Sequence, residues 1–181
     1  MFEEYLEDAY EFLRVAEEAS AATDEQKGRR YYRASIFCAS SAMEAFVNHI
    51  ADSFSKAGSV DRYEIAYLND QQLVFSPGKG LFSKIEYHPI DAKLRVLMAR
   101  FSPGFDFNTA GWSQFLHFKD LRDHLVHPRR AEDETALSAY DDESRKGLAA
   151  TILLMNEVSK AVFHAPLRKH LLDLIPDRSK L

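Results

Sequence analysis

Phe115-Leu-His-Phe-Lys-Asp-Leu-Arg-Asp-His-Leu-Val-His-Pro-Arg-Arg130 is the stretch from which the chain is read most directly. Trp112, Phe115, Leu116, Leu121, Leu125 and Val126 recur at spacings of three, four and five, which predicts a helix with one buried face. Thr109 or Gly111 can open it, and Pro128 stops it. Proline disfavours the helical conformation in the residue before it, so His127 is expected at or just past the last turn. In an unbroken helix Arg122 and His127 point about 140° apart, whereas Asp123 and His127 share a face. Once His127 leaves the helix, its ring can swing back toward Arg122. A guanidinium, a carboxylate and an imidazole then meet at one helix end, a set suited to phosphodiester chemistry.

Outward from this helix the pattern stays helical. Residues 2–22 carry the stripe Phe2, Tyr5, Leu6, Ala9, Phe12, Leu13, Ala16 and Ala19, broken near Thr23-Asp24. A longer helix runs from Asp24 or Gly28 to Lys56 and ends at Gly58. Val60–Asp70 reads as a short helix, and Leu73–Phe82 holds a turn signal between two apolar runs, compatible with a small hairpin. Its Ser76-Pro-Gly-Lys-Gly80 lacks the Gly-x4-Gly-Lys-Ser/Thr spacing of a phosphate loop and reads as an ordinary turn. Pro89–Phe101 is the next helix, and Ser102–Asn108 the loop into the central one. Ala136–Phe163 is long and strongly apolar in its second half, and Pro166 starts a short terminal helix ending near Ile175. The expected fold is all-α: a single-domain bundle over 1–181, with four to five main helices and short accessory ones.

The composition agrees. The chain has 181 residues, 46% hydrophobic and 28% charged, with seven Gly and six Pro. That is enough for one folded domain with a substantial core and low enough in helix breakers to favour helices. A net charge of -5 excludes a protein positive over its whole surface. Local basic clusters remain at Lys27, Arg29, Arg30 and Arg33 and at Arg129 with Arg130. The sole cysteine, Cys38, excludes an intrachain disulfide and a multi-cysteine zinc site. It sits in an apolar helical run, where a small core residue is expected rather than a nucleophile. The acidic, amphipathic N-terminus is unlike a signal peptide, and no apolar run is long enough to span a bilayer. A cytoplasmic protein without a membrane partner is expected.

Three constellations carry chemistry. Arg122, Asp123 and His127 form the first, and its plainer reading is a helix C-terminus whose cations suit the negative end of the dipole. The second lines up His117, Asp120, His124 and His127, of which Asp120, His124 and His127 can hold a divalent metal if another segment contributes, with Glu44, His49 and His88 as candidates. The third is Glu44 with Asn48, four residues apart in an otherwise small and apolar run, where buried polar groups need partners. Arg122 is a natural partner for Glu44, which makes Glu44 either an orienting residue or a structural ion pair.

Taken together, Ala39–Asn48, the Ala92-Lys93-Leu94 helix, Phe118–His127 and the long apolar closing helix resemble the HEPN superfamily of helical bundles, over about residues 30–165. The resemblance rests on an Arg, a polar residue and a His after four to six intervening positions, here Arg122, Asp123 and His127. It implies a bundle of four or five helices, commonly a homodimer whose motifs meet in a cleft. Many members are metal-independent endoribonucleases of toxin or defence type, and others are catalytically silent interaction modules, some paired with a protein antitoxin.

By that resemblance the substrate is RNA, no cofactor or metal is required, and the nucleophile is the RNA's own 2′-hydroxyl. His127 transfers protons, Arg122 holds phosphoryl oxygens, and Asp123 orients one or the other. Arg129 and Arg130, with the Lys27–Arg33 cluster, bind flanking phosphates. Glu44, Asn48 and His124 stand behind them as supporting residues. The alternatives are a silent RNA- or nucleotide-binding module, and a metal-binding bundle using Asp120, His124 and His127.

Overall fold

A computed structural model describes residues 1–58, 60–127 and 137–176. The described residues are all-α apart from one hairpin: α1 (Phe2–Ala21), α2 (Glu25–Ala57), α3 (Arg62–Leu68), β1 (Gln71–Ser76), β2 (Gly80–Ile85), α4 (Ile90–Phe101), α5 (Ala110–Val126), α6 (Leu137–Phe163) and α7 (Lys169–Leu172). Its contacts group into two compact units, Met1–Met43 with Asp106–Leu181, and Glu44–Phe105. The first part of α2 belongs to one unit and the remainder to the other.

The first unit is a helical bundle of α1, the start of α2, α5, α6 and the single-turn α7. On α1 the buried residues are Leu6, Ala9, Leu13, Ala16 and Ala19, one stripe at helical spacing. Small residues bring α2 close to it: the buried Ser35 hydroxyl donates to the Ala9 carbonyl at 2.7 Å. Phe12 and Tyr31 pack ring against ring across the same seam. α6 is buried on every side from Gly147 to Ile152, so it is the axis of the unit rather than one of its walls. Its contact with α5 is tight enough that a Cβ on Gly147 would lie 1.8 Å from Phe118 Cδ2. Glycine is required there for close approach.

Two buried polar residues on α6 fasten the segment C-terminal to it. Asn156 Oδ1 accepts from Leu167 N at 3.0 Å, and the Ser159 hydroxyl donates to the Ala165 carbonyl at 2.8 Å. The terminal helix expected to reach Ile175 is one turn long. Leu174 and Ile175 turn back on carbonyls three residues earlier, which tightens the end while keeping Leu171 and Ile175 buried.

In the second unit, α3 opens with a capping box, Asp61 accepting from Tyr63 N at 2.7 Å and Glu64 returning to Asp61 N. β1 and β2 pair antiparallel, with Leu73 opposite Ser83 and Phe75 opposite Leu81. The Lys79 amide donates to the Ser76 carbonyl across the turn, where Pro77 and Gly78 (φ 88) follow the type II pattern. The glycine-rich segment is a hairpin turn. α2 ends at Gly58 in the left-handed region, and its Phe54 stacks on Phe101 of α4.

Candidate functional site at the C-terminal end of α5

α5 begins where Thr109 accepts a hydrogen bond from Trp112 N at 3.3 Å, which satisfies one of the four amides a helix start leaves open. Trp112, Phe115 and Phe118 bury its first turns. Its last turns mix the polar Lys119, Asp120, Arg122, Asp123 and His124 with Leu121 and Leu125, which are half-buried, and Val126, which is exposed, and His127 is the C-cap. The His127 amide still donates to the Asp123 carbonyl at 2.9 Å, while its own φ of -125° and ψ of 68° take the chain out of the helix. The imidazole is exposed.

Arg122 is half-buried, and Asp123 sits beside it. Arg122 Nη1 donates to Asp123 Oδ1 at 2.8 Å, and Lys119 Nζ to Asp123 Oδ2 at 3.4 Å. Asp123 therefore keeps Arg122 in place, the second of the two roles open to it. Among the described residues, no hydrogen bond or ion pair joins the His127 ring to Asp123. Lys119 Nζ also lies 3.7 Å from Asp120 Oδ1, so two carboxylates and two cations interleave at this end of the helix. Lys119 is the participant that the sequence reading missed. Its signal was the Lys119–Asp123 spacing of one helical turn.

The row of His117, Asp120, His124 and His127 is divided. His117 Nε2 lies 3.1 Å from Glu143 Oε2 on α6, an oxygen that also accepts from Gln114. His124 turns back on its own helix, its Nδ1 2.7 Å from the Asp120 carbonyl. A carbonyl only accepts, so Nδ1 carries the hydrogen. Among the described residues, no three His, Cys, Asp or Glu side chains are grouped to hold a metal ion. Arg129 and Arg130 lie outside the described residues. Lys27, Arg30 and Arg33 are exposed near the start of α2, one helical turn apart.

In the second unit, Glu44 and Asn48 line a cavity of about 40 Å³ with Asp70, Tyr87, His88, Ile90 and Lys93. That volume holds a water or two, not a substrate. Asp70 organises it from a left-handed backbone (φ 56). One carboxylate oxygen accepts from His88 N at 2.8 Å and the other from the buried Lys93 Nζ at 2.7 Å, while the Asp70 carbonyl takes the Glu86 amide at 2.9 Å. The His88 ring lies on Tyr67 with centroids 3.8 Å apart. This network locks the end of α3 to the exit of β2 and the start of α4, and a buried ammonium requires such a partner. Its members are far apart in sequence, so no local pattern announced them.

Cys38 is half-buried, and burial pushes its thiol up, away from the reactive thiolate. No helix of the described residues is long and apolar enough to cross a membrane. No protein-family model matches this chain, and no curated protein or solved structure matches it either.

Proposed function

We propose that the chain is a HEPN-like, metal-independent endoribonuclease with its centre at Arg122 and His127. The observation that carries this reading is the C-cap placement of His127, which frees an exposed imidazole one turn beyond a half-buried guanidinium held by Asp123. The RNA 2′-oxygen attacks phosphorus, and its proton passes to an imidazole. The P–O5′ bond breaks, and the 5′-oxygen takes a proton from an imidazolium. The products are a 2′,3′-cyclic phosphate and a 5′-hydroxyl. Arg122 stabilises the charge that builds on the non-bridging oxygens. In a homodimer, a second His127 separates the acid from the base. DNA binds without reacting, since it lacks the attacking hydroxyl.

The test is end-labelled RNA incubated with the protein in EDTA. The parent cleaves and leaves a cyclic phosphate, and Arg122→Ala and His127→Ala each lose on the order of 10² to 10⁴ in rate at unchanged helicity. Equal cleavage by all three proteins sinks the assignment. A second reading is a silent RNA-binding module, favoured by the lack of a bond between the His127 ring and Asp123. It predicts salt-dependent RNA binding that weakens in Arg122→Ala, with no cleavage by any of the three.

A further inference from the structure

In the second unit α3 and the hairpin enclose a groove of about 270 Å³. One wall is a single face of α3, where Arg62, Ile65, Ala66 and Asn69 recur at helical spacing. β1 starts just beyond α3 and packs against it, so the other wall is one face of the ladder: Gln71 and Leu73 on β1, Leu81 and Ser83 on β2.

The chemistry changes along the groove. Arg62 stands exposed at one end, and no hydrogen bond or ion pair among the described residues holds its guanidinium. Its acidic neighbours are committed to the start of the helix, Asp61 accepting from Tyr63 N at 2.7 Å and Glu64 from Asp61 N at 3.4 Å. Ile65, Ala66, Leu73 and Leu81 make the middle apolar, and the Asn69 and Gln71 amides return the far end to water. From Arg62 to Asn69 the helix face spans about 10 Å. A groove this short covers far less than the ~800 Å² per partner of a standard protein interface, so its size suits a small molecule rather than another chain.

We propose that this groove binds an amphipathic monocarboxylate, with the carboxylate on Arg62 and an apolar body of about nine carbons between α3 and the hairpin. One uncommitted guanidinium matches one negative charge, and its planar fork takes a carboxylate through two parallel N–H bonds. At roughly 30 Å³ for each water-sized group, the volume accommodates about nine of them. The groove shares no residue with the cleavage proposal, so the failure of one leaves the other standing.

Decanoate, with nine carbons beyond its carboxyl carbon, is the ligand for the test. Titrated at pH 7 to about 2 mM into the ¹⁵N-labelled full chain, it shifts the amides of Ile65, Ala66, Leu73 and Ser83, with half-saturation at about 0.1–1 mM. Decyltrimethylammonium, a cation on a similar chain, binds these residues at least about tenfold more weakly. Arg62→Gln weakens decanoate about fivefold, the size of one exposed charge pair. Ser83→Trp fills the groove from an exposed strand position and abolishes the shifts. Unchanged amides elsewhere in each variant's spectrum report an intact fold. The proposal is overturned if the parent shows no shift at these amides, if the cation binds as tightly as decanoate, or if either variant binds as the parent does. Shifts of the same amides on raising the protein alone from about 0.05 to 0.5 mM also overturn it, because a second copy then occupies the groove.

Discussion

The two halves of α5 obey different rules. From Trp112 to Phe118 the helix is set by packing, with three aromatic residues buried and one of them pressed against a glycine of α6. From Arg122 to His127 polar side chains dominate: Arg122 and Lys119 pair with Asp123, His124 and His127 are exposed, and the helix ends at His127. A helix anchored at one end can hold a polar cluster at the other without building a core around it. Substitutions in the first half should therefore cost stability, and those in the second should cost function.

The largest effect is expected at the Phe118–Gly147 contact. Gly147→Ala drives a methyl into the Phe118 ring and should cost about 3 kcal/mol, at the upper end of overpacking. Phe118→Ala should cost about 3–5 kcal/mol through lost burial and a cavity. The two together should cost well below their sum, since the smaller side chain leaves room for the methyl. Urea unfolding of the three variants and the parent checks this. Full additivity would mean that the two residues do not share one contact, and the packing account of the first half would fail.

A smaller contrast lies at the two ends of the same helix. Thr109→Ala removes the N-cap acceptor and should cost about 1 kcal/mol. His127→Ala, at an exposed C-cap, should stay within about 0.5 kcal/mol. Thermal unfolding of both variants compares the ends directly. A loss at His127 as large as that at Thr109 would mean that the imidazole holds the fold, and would take support from the role in chemistry proposed for it.

The helices were legible because their signals are local. The α1 stripe, the Thr109 cap, the Gly58 stop and the arrest before Pro128 each depend on residues within a turn or two of one another. The position of His127 at the end of α5 follows from the proline alone. Two features were not legible. Gly147 sits in an apolar helix that periodicity describes well, but what it faces is decided by α5, and a single glycine gives no sign of that. The Asp70, His88 and Lys93 lock joins residues up to 23 apart through a left-handed Asp70 that no turn pattern marks. At the candidate site, the sequence supplied Arg122, Asp123 and His127 but not their sharing. That Asp123 is divided between Arg122 and Lys119, rather than turned to His127, depends on side-chain positions that spacing does not determine.

The smallest effect tests the comparison at an ion pair beside the packed region. Glu17 on α1 meets Arg145 on α6 at 2.8 Å, and Arg145 also donates to Asp141 at 2.7 Å. Burial nevertheless outweighs the arginine and holds the Glu17 carboxyl above its ordinary 4.5. The folded chain then binds that proton more tightly than the unfolded chain does. The contribution of Glu17 is fully present below pH 4.5 and is lost as pH rises through the raised folded value. Glu17→Gln removes the titration, so its stability should gain on the parent's across that window and match or exceed it at pH 7, by less than about 1 kcal/mol. Urea unfolding from pH 4 to 7 measures the difference. If the parent instead gains on the variant as pH rises, the Arg145 pair outweighs the cost of burial. Charge would then govern the α1–α6 seam, and the boundary between the packed and the polar regimes would have to be drawn inside the bundle.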